Sequence, residues 1–289
     1  MTETTAPVLR RILDAANITE SVGPLECSLA GATLRWAPPT EGFVSDVHEL
    51  GAIDGALGWL AAVFNTASHE LSSFPAADPH ATVTLAAQGD GTVRRGKLTG
   101  RWQSVVGAEY AQWFLLPAKD SRVLVPRSAV QLAPAPPRPA LAAAGICEVA
   151  VGGQPVDDDL IAPGGIGPLA ATGAAAAVVG SADGVWRRHV GQVRARLATT
   201  YGGEDVTDDA SAQVARAASD IDAARLQVLD SLRADQVRAC RQAVGRARAA
   251  VDRLLAISKY ALDAADPVTR QWQDVQAGCR LAERLFDRF

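Results

Sequence analysis

The sequence predicts an α+β chain in which helical segments lead into a small antiparallel β domain and a C-terminal antiparallel four-helix bundle follows. Three observations predict it. Apolar residues recur at spacings of three and four between His48 and Leu71, and again almost without interruption after Pro168. Between His80 and Val156 that period gives way to short runs rich in Val, Thr and Trp, parted by turn residues. Hydrophobic residues make up 48% of the 289 while aromatics make up only 5%, so the cores consist mainly of Ala, Leu and Val, which lets helices approach closely.

Val8, Leu9, Ile12, Leu13 and Ala16 fit a short amphipathic helix near the start. Leu50, Ile53, Leu57, Leu60, Phe64, Ala67 and Leu71 then form one stripe, which predicts a single helix over 48–71 closed by Pro75 and Pro79. The expected strands are Ala81–Ala87, Lys97–Val106, Gln112–Leu116, Val123–Val125 and a final pair around Gly145–Val151. Turns at Gln88–Gly91 and Asp120–Ser121 separate them. Four prolines between Ala133 and Pro139 confine that stretch to a sheet edge or a linker.

In the bundle, Val178, Val179, Ala182, Val185, Trp186, His189, Val193 and Leu197 share one stripe, ended by Tyr201-Gly202-Gly203. A second helix runs from Val214 to Leu232 and a third from about Asp235 to Leu255. Pro267 starts a fourth, carrying Trp272, Val275, Cys279, Ala282 and Phe286. The expected boundaries are thus 1–79 for a shortened helical segment, 80–160 for the β domain and 161–289 for the bundle. Short connections make the bundle antiparallel.

A formal net charge of −4 gives no basic field to steer the protein onto nucleic acid. Cys27, Cys147, Cys240 and Cys279 are scattered without CxxC pairing, so buried thiols are expected rather than a zinc site or a disulfide framework. His48, His69, His80 and His189 lack ligand spacing. His189, on an apolar stripe, reads as a packed imidazole, and no metal site is expected. Asp157-Asp158-Asp159 reads as a turn or cap and Gly164–Gly167 as a loop. Met1–Arg11 lacks the basic-then-apolar order of a signal peptide and no apolar run is expected to reach membrane-spanning length without charge, so a soluble cytoplasmic protein is expected.

Several segments carry a resemblance. Val214-Ala-Arg-Ala-Ala-Ser-Asp-Ile-Asp-Ala-Ala-Arg-Leu-Gln-Val228 resembles a helix of the acyl-CoA dehydrogenases. Leu98–Gly107 with Ala111–Leu116 resembles that superfamily's strand pair leading to the flavin face. His48–Trp59 is similar to the helix preceding its β domain, and Asp266–Gln276 to a segment near the end of its last domain. The resemblance covers roughly residues 48–289 in the superfamily's own order, and it extends to the branch of flavin monooxygenases that hydroxylate phenolic compounds. It implies FAD, an acyl-CoA substrate, α,β-dehydrogenation and assembly into homo- or hetro-oligomers with another acyl-CoA dehydrogenase-like chain.

The resemblance also supplies candidate cofactor contacts: Trp102, Ser104 and Val106 on the flavin-facing strand, Arg194 and Arg196 near a pyrophosphate-reaching element, and Lys259 where a Gly-rich loop would approach the cofactor. Ser104 stands at the position of an aromatic residue and Val106 at that of a hydroxyl. Gly164–Pro168 carries no carboxylate where one family base would stand, and Gln276 replaces the His of the monooxygenase relatives. No catalytic residue is assigned. The expectation is therefore a base-lacking subunit of a hetero-oligomeric, FAD-linked acyl-CoA dehydrogenase. The alternatives are a non-catalytic homologue without flavin and a flavin-dependent monooxygenase. Arg225 and Asp222 are expected to form inter-helix pairs.

Overall fold

A computed structural model describes residues 41–75, 81–134, 139–199, 207–233, 236–258, 261 and 263–289. The expected helix at 7–16, Cys27, Pro79, His80, the Tyr201-Gly202-Gly203 break and Lys259 lie outside the described residues. Six α-helices and eight strands are described: α1 (Glu41–Ile53), α2 (Gly55–Glu70), β1 (Val83–Leu85), β2 (Thr92–Arg94), β3 (Lys97–Val105), β4 (Trp113–Ala118), β5 (Ser121–Pro126), β6 (Gln131–Pro134), β7 (Cys147–Pro155), β8 (Ile161–Pro163), α3 (Leu169–Thr199), α4 (Asp208–Asp230), α5 (Gln236–Ala256) and α6 (Pro267–Phe286).

The single helix expected over 48–71 is two helices. Asp54 takes extended backbone angles, and its carboxylate accepts the N–H groups of Ala56 and Leu57 at 2.9 and 3.1 Å, so it caps α2 and ends α1. An apolar stripe does not register such a break, because the stripe continues across it. Pro75 lies beyond a short 3-10 turn at Leu71–Ser73 rather than at the helix end.

The β domain is two stacked four-stranded sheets, ordered β1-β4-β5-β8 and β2-β3-β7-β6. All pairs are antiparallel except β1 with β4, which is parallel. Burial explains the composition of each sheet. In β4 and β5, Phe114, Leu116, Val123 and Val125 face the second sheet, while Leu115 and Leu124 pack into the helical core beside Leu60 and Phe64. With both faces covered, these strands read as unbroken apolar runs. In β3, by contrast, Leu98, Trp102 and Val105 are buried while Lys97, Thr99, Arg101 and Gln103 are exposed, the alternation of a half-buried strand. The short strands β2 and β6 escape a pattern search. β6 forms one edge of its sheet, and its Pro134 is the last residue paired, opposite Cys147.

Helix α3 is the axis of the bundle, with α1, α2, α4, α5 and α6 all packed on it. It is long and apolar enough to cross a membrane, yet 89% of its most apolar window is buried inside the protein. Glycine permits the closest crossing: a Cβ at Gly180 would lie 2.1 Å from the His48 carbonyl oxygen of α1. Between α4 and α5 the ion pairs centre on Asp220, which binds Arg246 at 3.1 Å and also Arg253. The residues expected in that role were Asp222 and Arg225. Asp222 is exposed, and burial decides which acid on the helix faces its neighbour.

Candidate active-site cleft

A cavity of about 570 Å³ opens where α6 meets the β domain and the segment after the Pro-rich stretch. Trp272, Gln273, Gln276, Ala277, Arg280, Leu281 and Arg284 line it from α6, with Pro139–Leu141 and Ile146 opposite. The spacing 273, 276, 280, 284 makes one helical stripe. Val275, Cys279, Ala282 and Phe286 occupy the other face of α6, in the core. Asp266 caps α6 through the Thr269 N–H at 2.9 Å, and Pro267 stands at its first turn, which sets where the stripe begins.

The polar groups are held from behind. Asp252 of α5 accepts both Trp272 Nε1 and Gln276 Nε2 at 2.8 Å, leaving the Gln276 carbonyl oxygen as an acceptor at the cleft. Gln273 Oε1 is buried without a partner. Arg284 Nη1 donates to Ser104 Oγ at 3.1 Å, joining α6 to the β domain, while its backbone oxygen accepts Gln88 Nε2 at 3.0 Å. Arg280 donates through Nε to the backbone carbonyl of Gln276 at 3.3 Å. No carboxylate stands among the described lining residues. The cleft therefore offers cations, amides and an indole beside aliphatic walls, a donor set suited to a planar or anionic ligand.

The candidate residues divide. Ser104 sits in a β-bulge at φ +54 and reaches the cleft through Arg284. Trp102 is fully buried between the two sheets and donates its indole N–H to the Pro117 carbonyl at 2.9 Å, so its side chain is spent on packing. Val106 is buried against the helical core. Arg194 is exposed, Arg196 is half-buried, and both lie at the far end of α3, outside the cleft lining. A period-two strand does not say which of its faces meets another sheet, so Trp102 could not be assigned by pattern. Arg280, Arg284 and Gln273 were missed although their spacing was legible.

Away from the cleft, His189 is buried, and burial together with Arg196 lowers its pKa, as suits a packed neutral imidazole. Cys147, Cys240 and Cys279 are free and buried. Burial lifts the thiols of Cys147 and Cys279 to about 11 and 12.

Residues 172–282 match the family described as the acyl-CoA dehydrogenase C-terminal domain. Over the longer chain, the oxygenase subunit HsaA of a flavin-dependent monooxygenase from Mycobacterium tuberculosis is 25% identical, the alignment covering 82% of this chain and 76% of that one. The crystal structure of the M. tuberculosis HsaA monooxygenase superposes with a TM-score of 0.79 at 22% identity, covering 99% of this chain and 96% of that one. XiaF from Streptomyces, solved with FADH2 and glycerol, gives 0.76 at 18% identity over 96% and 91% of the two chains. Glutaryl-CoA dehydrogenase from Mycobacterium smegmatis gives 0.75 at 11% identity over 99% and 94%. The chain thus has the acyl-CoA dehydrogenase-like fold, and its helical bundle matches the acyl-CoA dehydrogenase C-terminal domain family over residues 172–282.

Proposed function

We propose that this chain is a flavin-dependent oxidoreductase subunit that seats a flavin in the cleft between the Ser104 bulge and α6, and that its chemistry is of the oxygenase kind. The observation that carries this reading is the lining itself: two arginines, two amides and an indole, with no carboxylate among the described residues. Removing an α proton from an acyl thioester requires a positioned base. Transfer of an oxygen atom from dioxygen does not require one at the same place.

The residues fit the group. Gln273 and Gln276 bring amides to the lining, Gln276 leaving its side-chain oxygen as an acceptor, and Arg280 and Arg284 supply positive charge for a reduced, anionic ring or a phosphate. A bound reduced flavin supplies two electrons, so that one atom of dioxygen enters a substrate C–H bond and the other leaves as water. The chain's own work is to orient the ring with Gln273 and Gln276, to fix Arg284 against Ser104 and to exclude water with Leu141, Ile146 and Leu281. The resemblance to HsaA supports this reading and makes a separate reductase the natural electron source, with acidic phenols as the substrates to try first.

The second reading keeps the dehydrogenase chemistry: this chain serves as the base-lacking member of a hetero-oligomer, which the same absence of a carboxylate favours. One experiment separates the two. Purified chain is mixed anaerobically with reduced FAD, then with air and a panel of phenols, and hydroxylated product and hydrogen peroxide are measured. Tight binding of reduced FAD with product formation supports the oxygenase reading. Failure to bind either redox form of FAD refutes both readings for the isolated chain. Acyl-CoA oxidation appearing only after a carboxylate-bearing partner chain is added supports the second.

A further inference from the structure

Leu141, on the cleft wall, has φ +52, a left-handed conformation that residues with a Cβ seldom adopt. Gly145 follows at φ +54, so the 3-10 turn Ala142–Ala144 is bracketed by two left-handed residues. What holds Leu141 there lies 133 residues away: its backbone N–H donates to Asp274 Oδ1 at 2.6 Å. Asp274 is the residue on α6 next to Gln273. Its carboxylate also receives the backbone N–H of Gly55, the first residue of α2. One side chain thus ties together the cleft wall, the α1–α2 junction and the lining helix.

The charged groups facing Asp274 come from each packed element. Asp54 belongs to the junction. Arg188 comes from α3, where it donates to the carbonyls of Ala52 and Ile53 at 3.0 and 2.6 Å. Arg270, one turn back on α6, acts on Arg188. Burial first, then the Asp54 charge, push the Asp274 carboxyl up to about 7, against the pull of the two N–H donors and Arg188.

We propose that Asp274 is a positioning residue for the cleft: its carboxylate clamps the Leu141–Gly145 wall in its left-handed conformation, and the grip on the flavin depends on that clamp. The proposal rests on the cleft being the flavin site. An ionised acceptor binds an N–H about twice as strongly as a neutral one. The wall therefore tightens as pH rises between 6 and 8. Global stability moves the other way. A carboxyl raised from 3.8 to about 7 in the folded state holds its proton more firmly there than in the unfolded chain, so stability falls as pH rises from 3.8 to about 7 and levels off above that. A residue with a merely structural role would show only the second response.

Hydrogen exchange of residues 139–146 is measured on the flavin-free full chain at pH 6.0 and 8.0, corrected for intrinsic exchange, alongside affinity for reduced FAD. In the wild type, protection at 141–145 and FAD affinity are both expected to be about fivefold higher at pH 8. Asp274→Asn should leave both flat with pH. Asp54→Asn keeps a competent helix cap but removes the charge that raises Asp274, so it should move the transition to lower pH. A flat wild-type profile, an unchanged response in Asp274→Asn, or an unmoved transition in Asp54→Asn would overturn the clamp. Protection that responds to pH while FAD binds at neither pH would sink the flavin reading and leave the clamp standing.

Discussion

Replacing Trp102 by Phe separates two places the residue could occupy, the β-domain core or the face of a bound flavin. The structure fixes its cost. The indole is fully buried, and its N–H satisfies the Pro117 carbonyl at 2.9 Å. Three glycines shape its slot: a Cβ at Gly89 would lie 2.0 Å from Cδ1, one at Gly91 2.5 Å from Cζ2, and one at Gly100 2.9 Å from Cη2. Phe leaves the carbonyl without its donor, at about 1–3 kcal/mol. The unfilled part of the slot adds about 1 kcal/mol. The sum, about 2–4 kcal/mol, is a shift of roughly 30- to 1000-fold in the folding equilibrium. Urea unfolding followed by far-ultraviolet circular dichroism should show a lower midpoint with an unchanged slope. Affinity for reduced FAD should stay within about twofold of wild type, because no atom of the indole lines the cleft. A variant within about 0.5 kcal/mol of wild-type stability but with FAD affinity reduced about tenfold would refute the placement of Trp102 in the core.

Two further outcomes test the helical core. Gly180→Ala would place a methyl carbon 2.1 Å from the His48 backbone oxygen, forcing α1 and α3 apart. It should cost about 1–3 kcal/mol, read as a lower thermal midpoint. Gly191→Ala on the same helix meets nothing within 4 Å and should instead stabilise by about 0.5–1 kcal/mol. For acid stability, the His48 imidazole 3.6 Å away and the pairing with Arg187 hold the Glu49 carboxyl at about 2, below its usual 4.5. Its contribution is present above 4.5 and is lost as pH falls through 2. The loss of denaturation midpoint between pH 6 and pH 2.5 should accordingly be smaller in Glu49→Gln than in wild type, and equal losses would show that the pair does not carry it.

What the sequence determined by itself was the class of each segment. Helical spacing after Pro168 located α3 to α6, and their ends follow local chemistry such as the Asp266 cap and Pro267. The strands expected at Lys97–Val106 and Val123–Val125 match Lys97–Val105 and the middle of Ser121–Pro126, because alternation and unbroken apolar runs each record how many faces are covered. Tertiary structure alone decided which faces meet. Trp102 and Ser104 lie on one strand, yet stacking of the second sheet takes the first into the core while a bulge turns the second toward Arg284. The stripe Gln273, Gln276, Arg280 and Arg284 shares one face of α6, but only the 139–146 segment and the β domain wall it into a cleft. Asp274 and Leu141 could not be paired from sequence, because a hydrogen bond spanning 133 residues depends on the fold to bring its two ends together and leaves no local pattern behind.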